Sequence, residues 1–130
     1  MPGKSLASEE GIMLKAVVLL RRKDGLTVDQ FIDHYENRHV PLVREVLPTV
    51  GRYVRNYLER TSVSAGRQDG DAPTPYCDVI TELWFNDDAA YQAFVAALSD
   101  PEVSRRLQED EERFLDRSIV QTYPVREYVA

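Results

Sequence analysis

The sequence predicts an α+β sandwich of ferredoxin-like type, with one four-stranded antiparallel sheet carrying helices on one face. Three observations predict it. Four segments, 13–22, 51–60, 78–85 and 118–129, are rich in β-branched, aliphatic and aromatic residues and are bounded by turn chemistry. Two stretches of helical spacing lie between the first and second strands and between the third and fourth. Only a polar loop, 61–77, separates the second strand from the third. The order is therefore β-α-β-β-α-β.

Each element has a local reason. Residues 1–12 are small and polar and read as a flexible tail, leaving 13–130 as a single domain. The run MLKAVVLLRR is a strand, closed by the turn Lys23-Asp24-Gly25. Thr27 is a good N-cap, and Gln30 stands three residues later in the capping-box place. Apolar residues then recur at Val28, Phe31, Ile32, Tyr35, Leu42, Val43, Val46 and Leu47. Pro41 interrupts this helix, because it lacks an N–H and its ring clashes with the carbonyl of Asn37. A kink or break is expected at 37–40. The strand GRYVRNYLER follows, and then the loop 61–77, which is long enough to read as functional or mobile. DVITELWF is the third strand. Asn86-Asp87-Asp88 caps a helix, Pro101 starts another in its first turn, and the last strand carries Pro124, which suggests an edge or a bulge.

Composition narrows the function classes. The chain has 130 residues and a net charge of −6. That length suits one core. The acidic balance argues against a nucleic-acid binder and against a polybasic membrane anchor. No apolar run approaches the ~18 residues of a membrane span. Residues 1–12 lack the apolar core of a secretory signal, so the expected compartment is the cytoplasm. Cys77 is the single cysteine, which excludes an internal disulfide and a multi-cysteine metal site. With no basic neighbour it reads as inert.

The strands are apolar on both faces. Ala16, Val18 and Leu20 oppose Val17 and Leu19; Ile80 and Trp84 oppose Val79, Leu83 and Phe85. A water-facing sheet alternates with polar residues. The second face is expected to be buried in a homodimer.

Two histidines carry the candidate chemistry. His34 falls on the polar side of the first helix and reads as a solvated side chain. His39 lies four residues after Tyr35 and three before Leu42, on the inward stripe, at the break set by Pro41. Two readings stay open: a general base or acid working near neutral pH, or a buried histidine satisfied by a backbone carbonyl. Five residues apart, the two histidines do not share an α-helical face, so no metal site is expected. No phosphate-cradling or dinucleotide loop is present. The run Glu109-Asp110-Glu111-Glu112 reads as the solvated face of the last helix. Tyr35, Tyr53 and Trp84 are candidate walls for a small, partly aromatic ligand, and Asn56 is a polar candidate in the second strand.

Phe31-x-x-x-Tyr35-x-x-x-His39-x-Pro41-Leu42, then Leu47-Pro48 and Tyr53-x-x-Asn56, resemble the EthD family. So do Glu82-Leu83-Trp84-Phe85 and Asp110-Glu111-x-x-Phe114-Leu115-Asp116. The similarity runs from Met13 to Tyr128, and its H-x-P-L element is the more specific part. The resemblance implies a dimeric α/β barrel built from ferredoxin-like protomers, with a pocket between helices and sheet. Relatives in that superfamily act on small organic molecules as cyclases, isomerases, decarboxylases or cofactor-free monooxygenases, and others bind haem. EthD proteins often carry a generic oxidoreductase label. His39 matches the family histidine, and Tyr53 and Asn56 match its second-strand element. The resulting expectation is cofactor-independent proton transfer by His39 on a small hydrophobic or aromatic molecule, with Tyr35, Tyr53, Asn56 and Trp84 binding it. The alternatives are a non-catalytic accessory or carrier protein of an oxidative degradation system, and a haem binder.

Overall fold

The computed structural model describes residues 4–5, 14–59 and 75–130. Most of the loop 61–77 and most of the expected tail lie outside the described residues. The described elements are β1 (Lys4–Ser5), β2 (Leu14–Leu20), α1 (Val28–His34), a π-helical turn (Tyr35–His39) and α2 (Val40–Val46). They continue with β3 (Tyr53–Tyr57), β4 (Val79–Phe85), α3 (Asp88–Leu98), α4 (Pro101–Phe114), β5 (Gln121–Val125) and β6 (Tyr128–Val129). A short 3₁₀ turn, Arg117–Ile119, precedes β5.

The sheet is four-stranded, in the order β3-β4-β2-β5, and every pairing is antiparallel. This is the ferredoxin-like arrangement. Pro124 sits in β5 at the sheet edge, where a missing N–H costs no ladder bond. The last strand is shorter than 118–129, because Asp116 caps the 3₁₀ turn and the chain breaks again before β6. Separately, β1 pairs with β6, Lys4 opposite Val129 and Ser5 opposite Tyr128.

Local signals set the helix starts. Gln30 N–H donates to Thr27 Oγ1 at 3.1 Å, and Thr27 N–H donates to Gln30 Oε1 at 2.9 Å, completing the capping box. Asp87 and Asp100 cap α3 and α4. Gly25 takes φ +93° in the turn after β2, a conformation that side chains resist.

Pro41 does not break the first helix. The ladder widens instead, and the N–H of Val40 donates to the carbonyl of Tyr35, five residues back. This one wide turn lets α2 restart with Pro41 in its first turn, where no N–H is needed.

The core lies between the helices and the inner sheet face. Phe31, Tyr35, Phe85 and Phe114 are its largest fully buried side chains. Phe114 packs at 5.7 Å from Phe31 and 5.6 Å from Tyr35, ring centre to ring centre. Glu36 in the π-turn ties the helix to β3. Arg55 donates to both its oxygens at 2.9 and 2.6 Å, and Tyr57 donates to one. Those Arg55 bonds hold the Glu36 carboxyl below its ordinary range. Among the described residues no helix is long and apolar enough to cross a membrane.

Phe31→Ala removes a fully buried ring at the centre of this packing. The expected loss is about 3–5 kcal/mol of unfolding free energy, measured as a shift of the urea midpoint.

Candidate functional site

The π-turn assembles the site. On a regular α-helix, residues five apart stand about 140° apart around the axis. Across a π-turn, with its bonds five residues apart, each turn holds more residues and the angle between such residues narrows. His34 and His39 flank this turn, and both imidazoles reach one carboxylate. His34 Nε2 lies 3.0 Å from Asp110 Oδ1, and His39 Nδ1 lies 2.9 Å from Asp110 Oδ2. His34 is therefore not a freely solvated side chain. It stacks on Phe114 with ring centres 4.6 Å apart. The expectation that the two histidines cannot share a face fails because it assumed an α-helical repeat.

The acidic run is likewise not all solvated. Glu109 and Glu112 are exposed, but Asp110 is 6 % exposed and Glu111 is half-buried. Burial works to raise the Asp110 carboxyl. The hydrogen bonds from His39 and His34, with the attraction of both rings, outweigh it and hold the group below its ordinary value. An ionised carboxylate only accepts, so each ring nitrogen facing it carries hydrogen. That fixes the His39 tautomer and leaves Nε2 as the basic nitrogen of a neutral ring.

His39 lines a cavity of about 90 Å³ between the helices and the inner sheet face. Leu20, Leu47, Leu83, Phe94 and Leu107 form apolar wall. Tyr35, Tyr53 and Thr81 add a chain of hydroxyls to it. Tyr53 O–H donates to Tyr35 Oη at 3.0 Å, and Tyr35 Oη and Thr81 Oγ1 share a bond of 2.7 Å. Burial raises both tyrosines well above their ordinary range, so they stay protonated donors.

Glu111 is the site residue that sequence reading missed. Leu107 and Glu111 on α4 and Leu115 at its C-cap recur every four residues, and all three line the cavity. A charged residue in an apolar stripe was the available signal. Arg117 Nε lies 3.3 Å from Glu111 Oε1. Burial raises the Glu111 carboxyl above its ordinary value, and attraction to His39 and Arg117 only partly offsets this.

The structure brings His39, Tyr35 and Tyr53 together. It does not bring Asn56 or Trp84 to them. Side chains alternate along a strand. In β3, Tyr53 is buried toward the helices and Arg55 reaches Glu36 there, while Asn56 is exposed on the outer face. Asn56 Nδ2 donates to Glu82 Oε2 and to the Ile80 carbonyl, both at 2.9 Å. Trp84 shares that outer face, where Lys15 Nζ sits 4.5 Å from its ring centre. Cys77 is buried, and burial pushes its thiol up, as suits an inert thiol. Among the described residues no cluster of three His, Cys, Asp or Glu side chains is arranged to hold a metal.

A ferredoxin-like fold with a cavity between helices and sheet defines the class. The EthD domain model matches residues 23–118, and the chain belongs to the EthD family. Among solved structures it is similar to an EthD family protein of Bacillus halodurans, with TM-score 0.60 and 17 % identity over 89 % of this chain and 99 % of that one. An EthD-like protein of Ralstonia eutropha matches at TM-score 0.56 and 18 % identity, over 91 % of this chain and 90 % of that one. HapK of Hahella chejuensis matches at TM-score 0.56 and 15 % identity, over 89 % and 94 %. At these identities the likeness is one of fold. No curated protein matches the sequence.

The two neighbouring carboxyls give opposite pH signatures. Asp110, held low, contributes stability above the ordinary aspartate value of about 4 that is lost as pH falls below it. Glu111, held high, makes stability decline as pH rises above the ordinary glutamate value of about 4.3. Asp110→Asn is expected to flatten the acid limb, and Glu111→Gln the decline above it, in urea unfolding measured across pH.

Proposed function

We propose that this chain binds a small hydrophobic or aromatic molecule in the cavity, and that His39 moves a proton to or from it without a cofactor. The observation that carries this reading is the geometry at His39. Its Nδ1 is tied to a buried carboxylate, and its ring opens on a largely apolar cavity. A positioned imidazole in such a place suits a general base near neutral pH. Tyr35 accepts from Tyr53, so where Thr81 donates the bond the two share, the Tyr35 hydrogen is free to polarise a carbonyl or phenolic oxygen of the ligand. Isomerisation, cyclisation or lyase chemistry needs no more than this, and a cofactor-free oxygenation would start from the same proton abstraction.

Size limits the ligand. A cavity of about 90 Å³ is smaller than the ~150 Å³ engineered cavity that holds benzene. The substrate is small, or the wall must open to admit it. A haem does not fit, because a porphyrin far exceeds this volume.

The outer sheet face supports the proposal of a homodimer. Val17, Leu19, Val54, Ile80, Trp84 and Tyr123 share it, and none is fully buried within one chain. A second copy placing the same face against it removes this area from water. Asn56 and Trp84 then belong to the interface. Light scattering at micromolar concentration is expected to give twice the mass of one chain, and a stable monomer overturns the dimer.

Hydrogen–deuterium exchange α to the carbonyl of cyclopentanone, followed by NMR in D₂O, tests the chemistry. Wild-type protein is expected to accelerate exchange, and His39→Ala to reduce the acceleration about 10²- to 10⁴-fold. Retention of full exchange in His39→Ala ends the catalytic role. Cyclopentanone binding without exchange assigns a carrier.

A further inference from the structure

We infer that Glu111 is a second proton-transfer group of the cavity, acting as the general acid to the base at His39, so that the site relocates a proton within one molecule. This rests on the reading of His39 given above and deepens it. Glu111 and His39 line the same cavity from different elements, α4 and the π-turn. Glu111 occupies the apolar stripe Leu107–Glu111–Leu115, where a leucine would pack and a carboxyl must be desolvated. Its side chain is 18 % exposed, whereas that of its ion-pair partner Arg117 is 38 % exposed.

The groups facing Glu111 are His39 from the π-turn, Asp110 from its own helix and Arg117 from the 3₁₀ turn. Asp110 keeps His39 in the tautomer that accepts a proton at Nε2. Burial raises the Glu111 carboxyl above its ordinary value, which favours the protonated form that an acid needs. Adjacent carboxyls are thus shifted in opposite directions, Asp110 toward the form that orients the base and Glu111 toward the form that serves as acid.

The step balances without an oxidant. For a β,γ-unsaturated ketone, His39 Nε2 takes a proton from the carbon between carbonyl and alkene. That C–H pair becomes the new conjugated double bond. The electrons of the old double bond take the Glu111 carboxyl proton at the far carbon, where a new C–H bond forms. The product is the conjugated isomer. The imidazolium proton then returns to the Glu111 carboxylate, directly or through water, and restores the starting state. The ligand class is a small unsaturated carbonyl compound.

Two probes separate the roles. Cyclopentanone α-exchange needs the base alone; isomerisation of cyclopent-3-enone to cyclopent-2-enone needs both groups. Glu111→Gln keeps the side-chain shape and cannot donate that proton. It is expected to slow isomerisation about 100-fold or more, a far larger loss than it causes in cyclopentanone exchange. Arg117→Gln, which removes the ion pairs to Glu111 and Glu112 but keeps the Glu111 carboxyl, is expected to retain isomerisation. If Glu111→Gln isomerises as well as wild type, Glu111 is not the acid and the His39 reading stands. If it loses exchange as fully as His39→Ala while its circular dichroism is native, Glu111 positions the base and the inference fails. Wild-type protein that performs neither reaction overturns both proposals together.

Discussion

One carboxylate, Asp110, ties the first helix to the last. It receives His34 Nε2 on one oxygen and His39 Nδ1 on the other. A charge this buried is unfavourable unless its lone pairs are satisfied, and breaking such a pairing is costly. The two rings also lie against Phe114, which packs on Phe31 and Tyr35 at the centre of the core. The clamp depends on the π-turn. Were residues 35–39 regular α-helix, His39 would swing away from His34 and Asp110 would lose one of its two histidines. Core packing, the tautomer of His39 and the cavity wall all follow from that one inserted turn.

Neighbouring residues of α4 show how environment separates identical chemistry. Asp110 points at two donors and is held ionised. Glu111 points at an apolar cavity and is held toward its neutral form. Opposite displacement of paired carboxyls is the usual arrangement where one protein needs both a base and an acid. The stabilities of the two groups also oppose one another with pH, so the native state is favoured between their titrations.

The sheet divides two tasks by strand alternation. In β4, Val79, Thr81, Leu83 and Phe85 face the helices and are buried, while Ile80, Glu82 and Trp84 face out and are half-buried. Thr81 completes the hydroxyl chain of the cavity. Glu82, across the sheet, gathers Lys15 at 3.7 Å, Asn56 at 2.9 Å and Trp84 at 3.2 Å on the outer face. The same strand therefore carries part of the site and part of the face that a second copy would cover. A register slip of one residue exchanges them.

The sequence by itself determined the fold class, the strand and helix order, the capping box at Thr27 and Gln30 and the family, and narrowed Pro124 to an edge or a bulge. It also marked His39, Tyr35 and Tyr53. These are local or periodic signals: cap chemistry acts over three residues, alternation over two, and an inward stripe over three or four. Only the tertiary structure decided the rest. Pro41 announced a disturbance, but whether the helix broke or widened depended on whether a partner waited for His39 seventy-one residues away at Asp110. Asp110 and Glu111 read as solvated because a run of acids carries no sign of which members turn inward. Asn56 and Trp84 read as site residues because their types suit a ligand, while their strand parity put them on the other face. Long-range partners decide what a charged or polar side chain does, since its burial is tolerable only where another element satisfies it.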